Sequence, residues 1–291
     1  MSAILIIIST LTSLVEGIII KRYNARNKKG GFIFTAFISL FSMLFFLITD
    51  TGGFTLLNKI WIYAIIAGIL YASASILTFI ALGCGSFALS MLVLSYSLIL
   101  PTVYGIAVLN ETLNFFSYIG FTLIALSIYL VRHKNADNGE NKKINLKWII
   151  CIGLSFFGNG LFSVISRMQQ IVFKDAVTNE FMVISLAISF ICLFTVGIIK
   201  SPSDFTYVMR YGFVYTLGAG LSNGATNMLG LLLVSDLISM PLSIASPVRS
   251  GAKIIASFFL STLLFKEKLE KRQVIGVILG GLAIVLLNIK A

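Results

Sequence analysis

Arg249 and Lys253 stand four residues apart inside the apolar stretch SIASPVRSGAKIIASFFLSTLLF (243–265). Four residues is helical spacing, so the two cations share one face. A cation deep in a membrane costs roughly 3 kcal/mol on insertion scales, and two on one face also repel. An anionic group placed opposite them would offset that cost. The functional reading is a site for a carboxylate or phosphate on a substrate. The structural readings are an internal salt bridge, or an arginine capping the carbonyls of a broken helix. Pro241 and Pro247 remove ladder donors nearby, and Ser243, Ser246, Ser250 and Gly251 are small enough for close helix approach. Together they point to an interrupted ninth helix beside a cavity.

One carboxylate is also placed for chemistry. Glu16 lies in TLTSLVEGIII, inside the first apolar run. Three roles fit it: coupling protons from a buried position, pairing with Arg249 or Lys253, or serving as a wetted partner of Lys21 and Arg22. Uncharged polar residues recur at helical spacing as well. Tyr71, Ser75 and Thr78 form one set and Asn223, Thr226 and Asn227 another. Such residues either line a pore or bond neighbouring helices. Tyr96 and Tyr104 in the fourth span and Asn159 in the sixth carry the same two readings. Arg167 either snorkels to the interface or guards an entrance.

The elements that must position these residues follow from composition. Of 291 residues 58% are hydrophobic and 11% charged, and the mean hydropathy is +0.99. Soluble domains are about a quarter charged, so the solvent for this surface is lipid. Apolar runs of about 20 residues are helices that span a bilayer. A β-barrel would show period-two alternation instead. Hydropathy predicts ten spans, near 3–20, 32–49, 60–81, 87–108, 114–131, 148–171, 179–199, 209–233, 237–264 and 271–289. The N-terminal run lacks a basic leader and reads as a retained helix.

The chain repeats itself. Residues 109–130 and 265–286 share a Glu (Glu111, Glu267), a Leu two places on (Leu113, Leu269) and an Ile-Gly pair (Ile119-Gly120, Ile275-Gly276) before an apolar helix. Upstream, AGILYASA (67–74) aligns with AGLSNGAT (219–226), which puts Tyr71 opposite Asn223. The expected organisation is a first repeat over 1–131, a polar linker over 132–147 and a second repeat over 148–291. Five helices per half is an odd number, so the second half inserts inverted. Glu111 and Glu267 fit helix-capping roles, and the triplet at Asn110 is an incidental glycosylation match.

The formal net charge is +11. With no soluble face to gather it, this charge argues against a nucleic-acid partner and for membrane orientation. Lys21, Arg22, Arg26, Lys28 and Lys29 follow the first span. Arg132, Lys134, Lys142, Lys143 and Lys147 fill the linker. Lys200 and Arg210 flank the loop after the seventh span, and Lys266, Lys268, Lys271 and Arg272 follow the ninth. The opposite loops carry chiefly Lys59 and Lys174. The basic loops belong in the cytoplasm, which puts both termini on the other side. Cys84, Cys151 and Cys192 are scattered packing residues, His133 lies in the linker, and no metal or cofactor site is expected.

The stretches 99–130 and 246–286 resemble the repeat ends of the EamA-type drug/metabolite transporter superfamily: a Pro-containing helix, a short turn with a Glu, then Ile-Gly and a last apolar helix. The resemblance implies a ten-helix basket, a substrate cavity between the halves and secondary transport by a monomer or dimer. Glu16 is similar to the first-helix Glu of the small multidrug resistance branch. The expected function is alternating-access transport of a small anionic or zwitterionic metabolite across the cell membrane. Its substrate contacts would be Arg249, Lys253, Tyr71, Asn223, Tyr96 and Asn227. A proton-coupled exporter of cations using Glu16 and a lipid-carrier flippase are the alternatives. Catalysis is not expected, because no zinc-protease pair, nucleophile elbow or phosphate loop is present.

Overall fold

The computed structural model describes residues 2–27, 29–49, 60–97, 99–109, 115–131, 146–173, 178–234, 242–266 and 271–287. The linker basics Arg132 to Lys143, together with Glu111, Glu267, Lys59, Lys174 and Pro241, lie outside the described residues. Helices account for nearly all of the rest, with no strand among the described residues. In chain order they are α1 (Ser2–Arg26), α2 (Gly31–Thr49), α3 (Ile60–Cys84), α4 (Phe87–Tyr96), α5 (Ile99–Leu109) and α6 (Phe115–Val131). After the linker come α7 (Leu146–Phe173), α8 (Thr178–Lys200), α9 (Ser203–Tyr207), α10 (Phe213–Val234), α11 (Leu242–Phe265) and α12 (Lys271–Leu287). A π-helical turn, Val208–Gly212, joins α9 to α10.

Six stretches are long and apolar enough to cross a bilayer: Ile4–Arg26, Gly31–Thr49, Ile60–Cys84, Phe87–Val108, Leu146–Phe173 and Thr178–Lys200. Their outward faces are greasy. Ile48, Ile62 and Ile199 are 81%, 64% and 76% exposed, which a soluble protein would not leave in a row of such helices. The protein is an all-α membrane protein.

The turns are locally encoded. Gly30 takes φ +78° between α1 and α2, a conformation with no penalty only for glycine. Ser86 caps α4, its hydroxyl accepting from the Leu89 amide at 3.5 Å. The fourth span is two helices rather than the expected one. Pro101 has no N–H to reach the Ser97 carbonyl four residues back; that carbonyl accepts from Leu100 instead, at 3.2 Å. At Pro247 the expected interruption of the ninth run does not occur, since α11 runs unbroken through it. The side chains of residues 242–248 lie outside those described.

Cross-bundle contacts fix which helix ends lie together. Lys21 bonds the Gly85 carbonyl, and Trp148 packs on Gly85. Arg26 donates to Tyr215 Oη at 2.9 Å and Tyr207 Oη to Asn27 at 2.8 Å. Lys200 sits over the Phe32 ring and Lys21 over that of Phe265. The ends of α1, α3, α8 and α11 therefore share one face of the bundle with the starts of α2, α4, α7 and the α9–α10 rod.

Tight helix pairs are α1 with α10, α2 with α8 and α10, α3 with α7 and α8, α4 with α11, and α6 with α12. Two apolar clusters bracket the middle of the bundle. One, around Tyr23, Phe34, Phe79 and Phe87, lies toward the shared face, with the Tyr23 and Phe34 rings stacked at 4.0 Å. The other, around Phe46, Ile60, Phe181 and Met182, lies toward the opposite face.

Candidate functional site

A cavity of about 210 Å³ opens among α1, α2, α3, α4, α7, α10 and α11. That volume holds on the order of ten or more waters, or one small metabolite. Its walls carry two cations, Arg249 and Lys253, and one carboxylate, Glu16. Glu16 falls in the middle third of α1 and Lys253 at the midpoint of α11, far from either end of its helix.

Asn223 organises the floor. Its Nδ2 donates to Glu16 Oε1 at 2.9 Å. Its Oδ1 accepts from Tyr71 Oη at 2.6 Å, from Ser42 Oγ at 2.8 Å and from Asn227 Nδ2 at 3.0 Å. These bonds tie α1, α2, α3 and α10 together. The Glu16 contact also fixes the amide orientation, since a flip would set the Asn223 carbonyl oxygen against the Glu16 carboxylate. A bond of this kind contributes about 1 kcal/mol, and a buried partner left unpaired costs about 1–3 kcal/mol.

The cations are held less fully. Arg249 Nη2 donates to the Thr226 carbonyl at 3.4 Å, a long bond. The guanidinium lies against Gly230, where any Cβ would overlap it. Lys253 borders the cavity with no hydrogen bond or ion pair to the protein among the described residues; it feels the attraction of Glu16 and the repulsion of Arg249. Next to it, Ser250 Oγ donates to the Ser95 carbonyl at 2.6 Å, joining α11 to α4 just before the break. A second polar cluster lines α3 and α7: Thr78 and Ser155 share a bond at 2.5 Å, and Asn159 Nδ2 donates to the Ser155 carbonyl at 2.9 Å.

Among the candidates read from the sequence, Glu16, Tyr71, Asn223, Asn227, Arg249 and Lys253 all border this cavity, as do Ser75, Thr78, Thr226 and Asn159. Tyr96 does not. It is 2% exposed, and its hydroxyl pairs with Ser127 Oγ at 2.7 Å, while Ser127 donates to the Gly276 carbonyl at 2.6 Å. Tyr96 thus locks α4 to the α6–α12 pair, away from the wall of this cavity. Tyr104 and Arg167 also lie off the cavity wall. The carboxylate of Glu16 bonds Asn223 at the cavity wall. Sequence reasoning missed Ser42, Ser13 and Ser97. Serines are frequent in apolar helices and carry no distinguishing spacing.

No family model matches the chain, and no curated protein matches it. A solved structure described only as "Crystal structure of protein" is similar, with a TM-score of 0.58 at 14% identity, covering 96% of this chain and 97% of that chain. At that identity the likeness is one of fold, and it runs nearly end to end in both chains.

Proposed function

We propose that this protein is a secondary transporter of the EamA-type drug/metabolite kind, carrying a small organic anion or zwitterion. The carrying observation is the pair Arg249 and Lys253 at mid-span, facing a cavity with no carboxylate in ion-pair contact with either among the described residues. Cations in such a place default to function, and here the protein leaves their charge for something else to meet. The lining residues come from both 1–131 and 148–291, as a site between two rocking halves requires.

The packing supports ten spans in two inverted repeats joined by the linker at 132–147. Let α1, α2, α3, the α4–α5 span and α6 exchange with α7, α8, α10, α11 and α12. The α3–α7 pair then maps onto α10–α1, and α3–α8 onto α10–α2. The pairs α2–α8, α4–α11 and α6–α12 map onto themselves. Lys21, Arg22, Arg26, Lys200 and Lys266 all belong to the shared face of the bundle, which supports a cytoplasmic location for that face. Both termini then lie on the opposite side of the cell membrane. No catalytic role is proposed.

A thermal-shift screen of purified protein against carboxylates, phosphates, amino acids and quaternary amines tests this. A ligand at a hundred times its Kd stabilises by about 2.7 kcal/mol, enough to resolve. Stabilisation by anions or zwitterions is expected. Stabilisation by quaternary amines alone would overturn the reading and favour a cation exporter working through Glu16.

A further inference from the structure

The cavity does not balance its own charge. Arg249 and Lys253 against Glu16 leave one net positive charge among the described lining residues. Glu16 is placed to influence Lys253 electrostatically, yet it is tethered elsewhere, to Asn223. Asn223 is in turn clamped by Tyr71, Ser42 and Asn227. Glu16 therefore stands in the cavity as a resident charge held on Asn223, with no ion pair to either cation among the described residues. Charge imbalance inside a protein is felt at an effective dielectric of about 20, against about 80 in water, so the count of charges in this space governs what can occupy it.

We infer that Glu16 sets the charge of the cargo: the site takes a singly charged anion while Glu16 is ionised, and takes a doubly charged anion only together with a proton on Glu16. Glu16 is thereby a specificity-determining residue, and a dianion is carried with H⁺. This rests on the anion-carrier reading above. The groups that face Glu16 among the described residues are Asn223 from α10, Tyr71 from α3 and Lys253 from α11; Arg249 lines the same cavity, and the two cations and Glu16 are the charged groups among its described lining residues.

The test is equilibrium binding to the purified full chain at pH 7.5, using probes of closely similar size: lactate against malonate, and 3-hydroxypropanesulfonate against methanedisulfonate. The wild type should prefer the monoanion of each pair, and malonate binding should take up a proton from a weakly buffered solution where lactate binding does not. Glu16→Gln keeps an acceptor for Asn223 while removing the charge, and should move the preference toward the dianion by about tenfold or more, ~1.4 kcal/mol. Lys253→Gln should lose monoanion binding, and the double variant Glu16→Gln/Lys253→Gln, which restores one net positive charge, should regain it. An unchanged preference in Glu16→Gln, or no recovery in the double variant, overturns the inference while leaving anion transport standing. Failure of the wild type to bind any anion removes the transport reading itself, and this inference with it.

Discussion

Gly230→Ala perturbs the site without altering any charge. Gly230 on α10 faces the Arg249 guanidinium. A Cβ built there overlaps Nη1 and comes within 3.0 Å of both Cζ and Nη2. The flexible guanidinium must move off α10, and its 3.4 Å bond to the Thr226 carbonyl is lost. That bond is long, so its loss costs the fold little, while alanine gains about 1 kcal/mol in helix propensity over glycine. The melting temperature should therefore hold or rise. Binding should fall, because a hydrogen bond to a charged group is worth about 1.5–3 kcal/mol, or roughly 10- to 100-fold in Kd. Calorimetric titration of the anion that best stabilises the wild type, beside a thermal melt of both proteins, separates the two effects. Unchanged affinity in Gly230→Ala would refute the placement of Arg249 as an anion ligand. A lower melting temperature with unchanged affinity would make the glycine a packing residue only.

Other outcomes follow from the same geometry. Tyr71→Phe removes the 2.6 Å bond to Asn223 and should weaken substrate binding several-fold, consistent with about 0.5–1.5 kcal/mol. Tyr96→Phe should lower the melting temperature and leave binding unchanged, and a binding defect there would return Tyr96 to the site. Gly68→Ala would put a Cβ 2.7 Å from the Ser185 carbonyl and 2.8 Å from Ile188 Cβ, overpacking α3 against α8 at a cost of about 1–3 kcal/mol, read as a lower melting temperature. A reporter active only in the cytoplasm, fused to the C-terminus, should be silent; activity would reverse the orientation.

Six of the expected spans were legible because lipid demands continuous apolar runs, and a run such as 179–199 has no soluble interpretation. The site was legible for a related reason. Arg249, Lys253, Glu16, Tyr71, Asn223 and Asn227 are expensive in hydrocarbon, so a shared wet interior was the place they could gather. What hydropathy lacks is the rotation of each helix about its axis. Tyr96 has the same credentials as Tyr71, yet the turn of α4 delivers it to Ser127 and Gly280. Helix breaks were half legible. Proline marks where a donor is lost, but Pro101 and Pro247 carry the same mark, and only at Pro101 does the break open. Ser42 was invisible because its value depends on α2 meeting α10 at Gly220 and Asn223, a contact between halves that no local pattern reports.

Uptake into proteoliposomes is the most direct trial of the central claim, comparing wild type with Arg249→Gln and Lys253→Gln across small carboxylates, phosphates, amino acids and quaternary amines. Saturable movement of an anion or zwitterion by the wild type, abolished in both variants, is the expected result. Movement of quaternary amines alone, or anion movement that survives both substitutions, would contradict it.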